Sequence, residues 1–150
     1  MRRSIRTIRV SRSSIKLAVL TSRAGQRATL LKGVALVCSL AAMTALLDPD
    51  RVATQLGMLL SGVNGYSQFY AVYVGVRLAT AALALLAARH GDQPLLGDIT
   101  ALFILAQPVG RLIAAIAIGL PQGFVLVVCG IELVGGIALL MLRPRHEERR

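Results

Sequence analysis

The segment 99–142 places the strongest constraint on the fold, because two long apolar runs flank a tight Leu-Pro-Gln-Gly turn at residues 120–123. Each run approaches the roughly 20 residues that an α-helix needs to cross a lipid bilayer. Each also contains one charge, Arg111 in the first run and Glu132 in the second. At about 1.5 Å of rise per residue, both charges lie about 12–13 Å from the turn. The sequence therefore predicts two adjacent helices whose opposite charges meet at one depth.

The composition is that of a membrane domain rather than a soluble one. Of the 150 residues, 55% are hydrophobic, and the mean hydropathy is +0.68. Both values are high for a soluble chain of this length. We therefore predict an all-α integral membrane protein that forms an antiparallel four-helix bundle. Four windows of spanning length support this prediction, at residues 29–47, 69–88, 99–120 and 124–142.

Basic residues cluster on one side of these spans. The net charge is +10, and nine of the 17 Lys and Arg residues precede Gly33, with no acidic residue among them. If the amino terminus is cytoplasmic, fourteen basic residues fall in cytoplasmic segments, and Arg51 is the one basic residue in an outer segment. Such a bias predicts that both termini are cytoplasmic. Arginine outnumbers lysine 15 to 2, which is typical of a GC-rich bacterial genome and favours a bacterial inner membrane. The bias of basic residues also indicates that the partner is membrane lipid and not nucleic acid.

The predicted organisation is a spanning domain with two tails. The domain covers 29–142, a basic amino-terminal segment covers 1–28, and a short cytoplasmic tail covers 143–150. The basic segment fits either a helix on the membrane surface or a disordered tail. Its Arg- and Ser-rich composition also resembles a transit peptide, and the first span resembles a signal-peptide core without a clear cleavage site.

The connection between the first two spans is predicted to contain a short helix. Asp-Pro-Asp at 48–50 ends the first span, because a proline disfavours helical geometry at the preceding residue. Apolar residues at 52, 56, 59 and 60 then have the spacing of an amphipathic helix over Val52–Leu60. Ser-Gly-Val-Asn-Gly at 61–65 is predicted to end that helix before the second span begins.

Three charges, Arg77, Arg111 and Glu132, form the candidate site near the middle of the spans. A charge at a helix centre costs roughly 2.5–3.5 kcal/mol on insertion scales, so each is expected to face a partner or a wet cavity. Tyr73 and Gln107 would add hydrogen-bonding groups at similar depth. The cluster fits a latch that fixes helix register, a pocket for a small anionic or lipidic ligand, or a path for protons or ions.

No enzyme signature accompanies this cluster. His90 and His146 are far apart, and the sequence has neither a phosphate-binding loop nor a nucleophile elbow. We therefore expect no enzymatic activity, no catalytic residue, no metal and no cofactor. Cys38 and Cys129 lie in apolar segments without a CxxC pattern, which favours two buried thiols over a membrane thiol–disulfide site.

Three short motifs connect the sequence to a known family. Residues 69–75 read F-Y-A-V-Y-V-G, residues 110–111 read G-R, and residues 132–134 read E-L-V. The first resembles the F-R-A-x-Y-G-G opening of the second helix in a bacterial family of small four-helix membrane proteins, domain of unknown function 4345. The other two resemble its G-R in the third helix and its Glu in the fourth. The resemblance covers roughly residues 33–142.

The chain departs from this family pattern at two positions. Tyr70 stands where the family has arginine, and Val74 stands where it has glycine; the chain instead has an arginine at Arg77. The resemblance implies the four-helix membrane fold and the pairing of Arg111 with Glu132. It implies no activity.

The absence of a catalytic motif in a small apolar chain leads to two functional hypotheses. The first is a non-catalytic accessory or scaffold subunit, whose partner is a larger membrane complex or a homo-oligomer. The alternative is a binder or carrier of a small anionic or lipidic ligand at the Arg/Glu cluster. A scaffold is expected to be tightly packed, whereas a binder is expected to have a cavity that reaches Arg77 or Arg111.

Overall fold

The computed structural model describes residues 22–144, which form five α-helices and no β-strand. Four of these helices are long and apolar enough to cross a membrane, which confirms the all-helical prediction for this part of the chain. The helices are α1 (Arg23–Leu47), α2 (Pro49–Gln55), α3 (Gly62–Arg89), α4 (Pro94–Ile118) and α5 (Gly123–Met141).

Helix α1 begins closer to the amino terminus than the predicted first span at Thr29. Ser22 has an extended backbone, and its side chain accepts a hydrogen bond from the Gly25 N–H at 3.1 Å, so it caps the helix. Residues 23–28 of the predicted basic segment therefore belong to α1. The rest of that segment, and residues 145–150 of the predicted tail, lie outside the described residues.

Helix α2 was predicted over the wrong residues, because the helix covers Pro49–Gln55 and not Val52–Leu60. The Asp48 carboxylate accepts a hydrogen bond from the Arg51 N–H at 3.2 Å, and Pro49 occupies the first helical position. The proline that ends α1 thus also starts α2. Gly57 then adopts a φ of 73°, a conformation that glycine tolerates and that takes the chain out of the helix.

The predicted break at 61–65 is also too long. Ser61 is extended, Gly62 has a φ of 61°, and α3 begins at Gly62, so residues 62–65 are helical. The break is confined to the residues between α2 and α3. The Tyr66 hydroxyl donates a hydrogen bond to Asp50 at 2.6 Å and so ties α3 to α2.

A π-helical segment, Tyr70–Val76, interrupts the α-helical geometry of α3. A π turn has hydrogen bonds from residue i to residue i+5 and occurs often at functional sites. Immediately after it, Arg77 begins the last α-helical part of α3. The rings of Phe69 and Tyr73 stack with centroids 4.8 Å apart, which fixes the side chains around the segment.

Small side chains dominate the contacts between the helices. Helix α1 packs mainly against α3, α4 packs mainly against α5, and α3 and α4 join the two pairs. A Cβ atom added at Gly136 of α5 would lie 2.5 Å from Leu105 Cγ of α4, so this pair depends on a glycine for close approach. The buried core consists chiefly of Leu31, Ala35, Cys38, Ala81, Ala84, Ala87, Ala101, Ile104 and Leu139.

Candidate binding site

Four of the five candidate residues meet between α3, α4 and α5. The Nη2 group of Arg77 donates to Glu132 Oε1 at 2.9 Å and to Gln107 Oε1 at 2.8 Å. The Nη1 group of Arg111 donates to the other carboxylate oxygen, Oε2 of Glu132. We call Arg77, Gln107, Arg111 and Glu132 the Arg–Glu cluster. The resemblance implied the pair Arg111–Glu132, and the structure adds Arg77 as a second partner of the same carboxylate.

The Arg–Glu cluster is largely shielded and carries an excess positive charge. The exposed fractions of the Arg77, Arg111 and Glu132 side chains are 16%, 19% and 9%. Two arginines and one carboxylate give the cluster a formal charge of +1. Since charges removed from water are stable only when they are paired, the unmatched charge is the distinctive chemical property of the site.

A cavity of about 250 Å³ borders the Arg–Glu cluster. Along α5 its lining residues run from Glu132 through Val128 to Phe124, so it extends two turns away from the cluster toward α2. It exceeds the roughly 150 Å³ of an apolar cavity that holds benzene. The other lining residues are Val37, Ala41, Thr44, Val52, Gln55, Leu56, Tyr73, Arg77, Arg111 and Ile131.

Tyr73, the fifth candidate residue, lines this cavity but, within residues 22–144, makes no hydrogen bond with the Arg–Glu cluster. Its hydroxyl group donates to the Met58 sulfur at 3.9 Å, a long and weak contact. The stacked Phe69 ring holds the Tyr73 ring in position. Tyr73 therefore presents a polar group in a wall that is otherwise mainly apolar.

Arg111 has unused donors at the cavity. A guanidinium group has five N–H donors. Within residues 22–144, Arg111 makes one hydrogen bond, which it donates to Glu132. Arg111 also lines the cavity, and those of its nitrogens that make no hydrogen bond are accessible rather than buried. Its remaining N–H groups can thus reach a molecule in the cavity, which suits an anion.

A second ion-pair cluster, which the sequence analysis missed, joins α1, α4 and the end of α5. Asp98 Oδ1 pairs with Arg27 Nη2 at 2.5 Å, and Asp98 Oδ2 pairs with Arg143 Nε at 3.1 Å. Arg27 is only 4% exposed and also donates to the Pro94 carbonyl at 3.2 Å. We call Arg27, Asp98 and Arg143 the Arg27 clamp. No local sequence pattern indicated this contact; in the structure, Gly97 leaves room for it, since a Cβ at Gly97 would lie 2.7 Å from Arg27 Cζ.

Fold and site together define a class of small helical proteins in which four apolar helices, each long enough to cross a membrane, surround a charged cluster. The family profile described as Domain of unknown function (DUF4345) matches residues 27–143, so the chain belongs to that family. The match contains the whole Arg–Glu cluster and all of the Arg27 clamp. No curated protein and no solved structure shows significant similarity to the chain.

Proposed function

We propose that this protein binds a small amphipathic anion within the membrane, at the Arg–Glu cluster. The observation that carries the proposal is the cavity of about 250 Å³ bordered by Arg77 and Arg111. A cavity that reaches these arginines is what distinguishes a binder from a tightly packed scaffold. Its excess positive charge favours an anion, and its mainly apolar walls favour an apolar chain on that anion.

The proposed setting is a bacterial inner membrane, with the four long helices antiparallel and both termini in the cytoplasm. The bias of basic residues toward the cytoplasmic segments supports this orientation. The exposed apolar surface supports insertion, because Ile116 and Ile118 of α4 are 89% and 85% exposed. Lipid would cover such side chains without the free-energy cost that water imposes.

The Arg–Glu cluster lies at the middle of the spans in this arrangement. An ionisable group at such a depth is by default a candidate for function, since insertion selects against it. A bound anion would compensate the extra arginine, for which residues 22–144 provide no second carboxylate at the cluster. The role of accessory or scaffold subunit remains the second prediction, and no contact of the described residues favours it.

Native mass spectrometry of the full chain, extracted gently from its own membrane, tests the proposal. We expect a monomer or homo-oligomer that carries a discrete small adduct. Arg111→Gln should lose the adduct, whereas Arg89→Gln, a change at an exposed residue outside the cavity, should retain it. A stable mass of a larger protein complex without any small adduct would instead support the accessory role.

A further inference from the structure

The charge of the Arg–Glu cluster and the shape of its cavity restrict what can bind there. We infer that the cavity takes one ligand with a single negative charge on its head group and a single apolar chain. This inference rests on the proposed function and narrows it to one chemical class, the monoanionic amphiphiles. Single-chain carboxylates and single-chain phosphodiesters share this chemistry, and matched probes distinguish them.

The charge count gives the first argument. Arg77 and Arg111 meet one carboxylate, that of Glu132, so the three side chains together have a formal charge of +1. A monoanion brings the sum to zero. A neutral ligand leaves the positive charge uncompensated, and a dianion creates a net negative charge next to Glu132. Because uncompensated charge in a medium of low dielectric constant is costly, a single negative charge is the stable choice.

The hydrogen bonds of the cluster give the second argument. Both oxygens of Glu132 already accept from arginines, whereas the remaining N–H groups of Arg111 have no hydrogen-bond partner in the described chain. The head group can therefore bind to Arg111 without displacing Glu132. A planar guanidinium group presents its N–H donors in parallel, which fits two oxygens of one anionic group.

The cavity gives the third argument. Its volume of about 250 Å³ lies below the roughly 300–1,000 Å³ typical of pockets for drug-sized ligands, so a single short chain is enough to occupy it. Its walls extend two turns from the cluster, from Glu132 to Phe124. The side chains along this path are mainly apolar: Val37, Ala41, Val52, Leu56, Val128 and Ile131.

Competition between probes of equal chain length tests the charge selection. The full chain in maltoside micelles is mixed with pairs of decanoate, methyl decyl phosphate, decyl phosphate and decanol, and native mass spectrometry counts each adduct. The pH is set where decyl phosphate carries two charges. We expect the better of the two monoanions to exceed both decyl phosphate and decanol by about tenfold, or about 1.4 kcal/mol.

The outcomes separate the inference from the proposed function. Preference for decanoate over methyl decyl phosphate identifies a carboxylate ligand, and the reverse preference identifies a phosphodiester; either result supports a monoanion. Equal or tighter binding of decyl phosphate or decanol overturns the charge selection but leaves ligand binding intact. Failure of every probe to bind contradicts the proposed function itself.

Two substitutions then change the charge of the site. Glu132→Gln raises the formal charge of the cluster to +2 and should shift the preference toward decyl phosphate. Gln107→Glu lowers the charge to zero and should remove the preference of decanoate over decanol. Because the second change keeps the size of the side chain, it provides the test if Glu132→Gln fails to fold.

The matched control for charge is Gln68→Glu, the same substitution at an exposed residue of α3 outside the cavity. Gln68→Glu should keep the preference of the unaltered protein. Circular dichroism of each variant checks that the helical content is retained. An unchanged preference in a folded Gln107→Glu variant would overturn the inference, because the charge of the cluster would then not determine the ligand.

Discussion

Glu132 satisfies two arginines with one carboxylate, which makes it the residue on which the Arg–Glu cluster depends. Its Oε1 accepts from Arg77 and its Oε2 accepts from Arg111. Glu132→Gln should lower the free energy of unfolding by about 3–5 kcal/mol, because it leaves both guanidinium groups without a counter-charge. Arg111→Gln in the same chain should restore part of this loss, since Arg77 still has Gln107 as an acceptor.

Denaturant unfolding followed by circular dichroism would measure this coupling in the two single variants and the double variant. Coupled residues give a double variant that is more stable than the sum of the single losses predicts. If the loss of stability in the double variant equals the sum of the two single losses, Arg111 and Glu132 do not stabilise each other.

Gly97 leaves the space that the Arg27 guanidinium group occupies. A Cβ atom at this position would lie 2.7 Å from Arg27 Cζ, and Arg27 is held by both Asp98 and the Pro94 carbonyl. Gly97→Ala should therefore displace Arg27 and cost about 1–3 kcal/mol of stability, as overpacking does. Gly33→Ala is the control, because it lies within α1 with no atom near its Cβ position.

Thermal unfolding followed by circular dichroism compares these two alanine variants. Gly33→Ala should be neutral or stabilising, since alanine has a higher helix propensity than glycine. Equal changes in the melting temperature of the two variants would show that the close contact of Gly97 with Arg27 does not affect the stability of the protein.

At the level of side chains, the sequence indicated which residues belong to the site but not all of their partners. Equal depth from the turn was enough to place Arg111 beside Glu132, because helical rise is regular. The Gln107–Arg77 contact needs the rotation of α3 about its axis, which the π segment changes. Arg27 was assigned to a basic tail because a long-range contact with Asp98 leaves no local pattern in the sequence.

Among the helices, α4 and α5 form a pair whose close contact depends on one glycine. The Cβ of an alanine at Gly136 would lie 2.5 Å from Leu105 Cγ, whereas no atom lies near the same point at Gly135. Gly136→Ala should therefore lower the stability of the folded protein by about 1–3 kcal/mol, and Gly135→Ala should not. Gly135 and Gly136 are adjacent residues of the same helix, so Gly135→Ala is the matched control for Gly136→Ala.

Thermal unfolding of the two variants, followed by circular dichroism, checks this prediction. Leu105→Ala combined with Gly136→Ala should cost less than the sum of the two single changes, because it removes the side chain that the new methyl group meets. If Gly135→Ala is as destabilising as Gly136→Ala, the close packing of α4 on α5 at Gly136 does not explain the effect.

The long helices could be predicted from the sequence, because a long run of apolar residues is a strong signal. The bounds of the short helix α2 and the π-helical segment of α3 could not. The turn at 120–123 and the apolar runs around it identified α4 and α5 within a few residues. The extent of α2 was wrong because its apolar spacing was counted beyond Gly57, whose positive φ ends the helix. The π segment 70–76 has no distinguishing composition, because apolar and aromatic residues fit α and π geometry alike.

For the molecule as a whole, the two ion-pair clusters lie at different levels and have different consequences. The Arg27 clamp joins α1, α4 and Arg143, the second residue after α5, at the end where α4 begins. The Arg–Glu cluster joins α3, α4 and α5 nearer their middle and borders the cavity. The clamp therefore lies at one end of the helices, and the cavity lies on the other side of the Arg–Glu cluster.

The proposed orientation of the whole molecule makes a prediction about which loops face the cytoplasm. Asn64, at the start of α3, would be outside, and Asp92, between α3 and α4, would be inside. Both are exposed, so each can be changed to cysteine in a chain whose Cys38 and Cys129 have been replaced by serine. A membrane-impermeant maleimide should label Asn64→Cys in intact spheroplasts and Asp92→Cys only after permeabilisation. The reverse labelling would contradict this orientation. The end of the helices near Phe124 and α2, toward which the cavity extends, would then face the cytoplasm, and the ligand would enter from the inside of the cell.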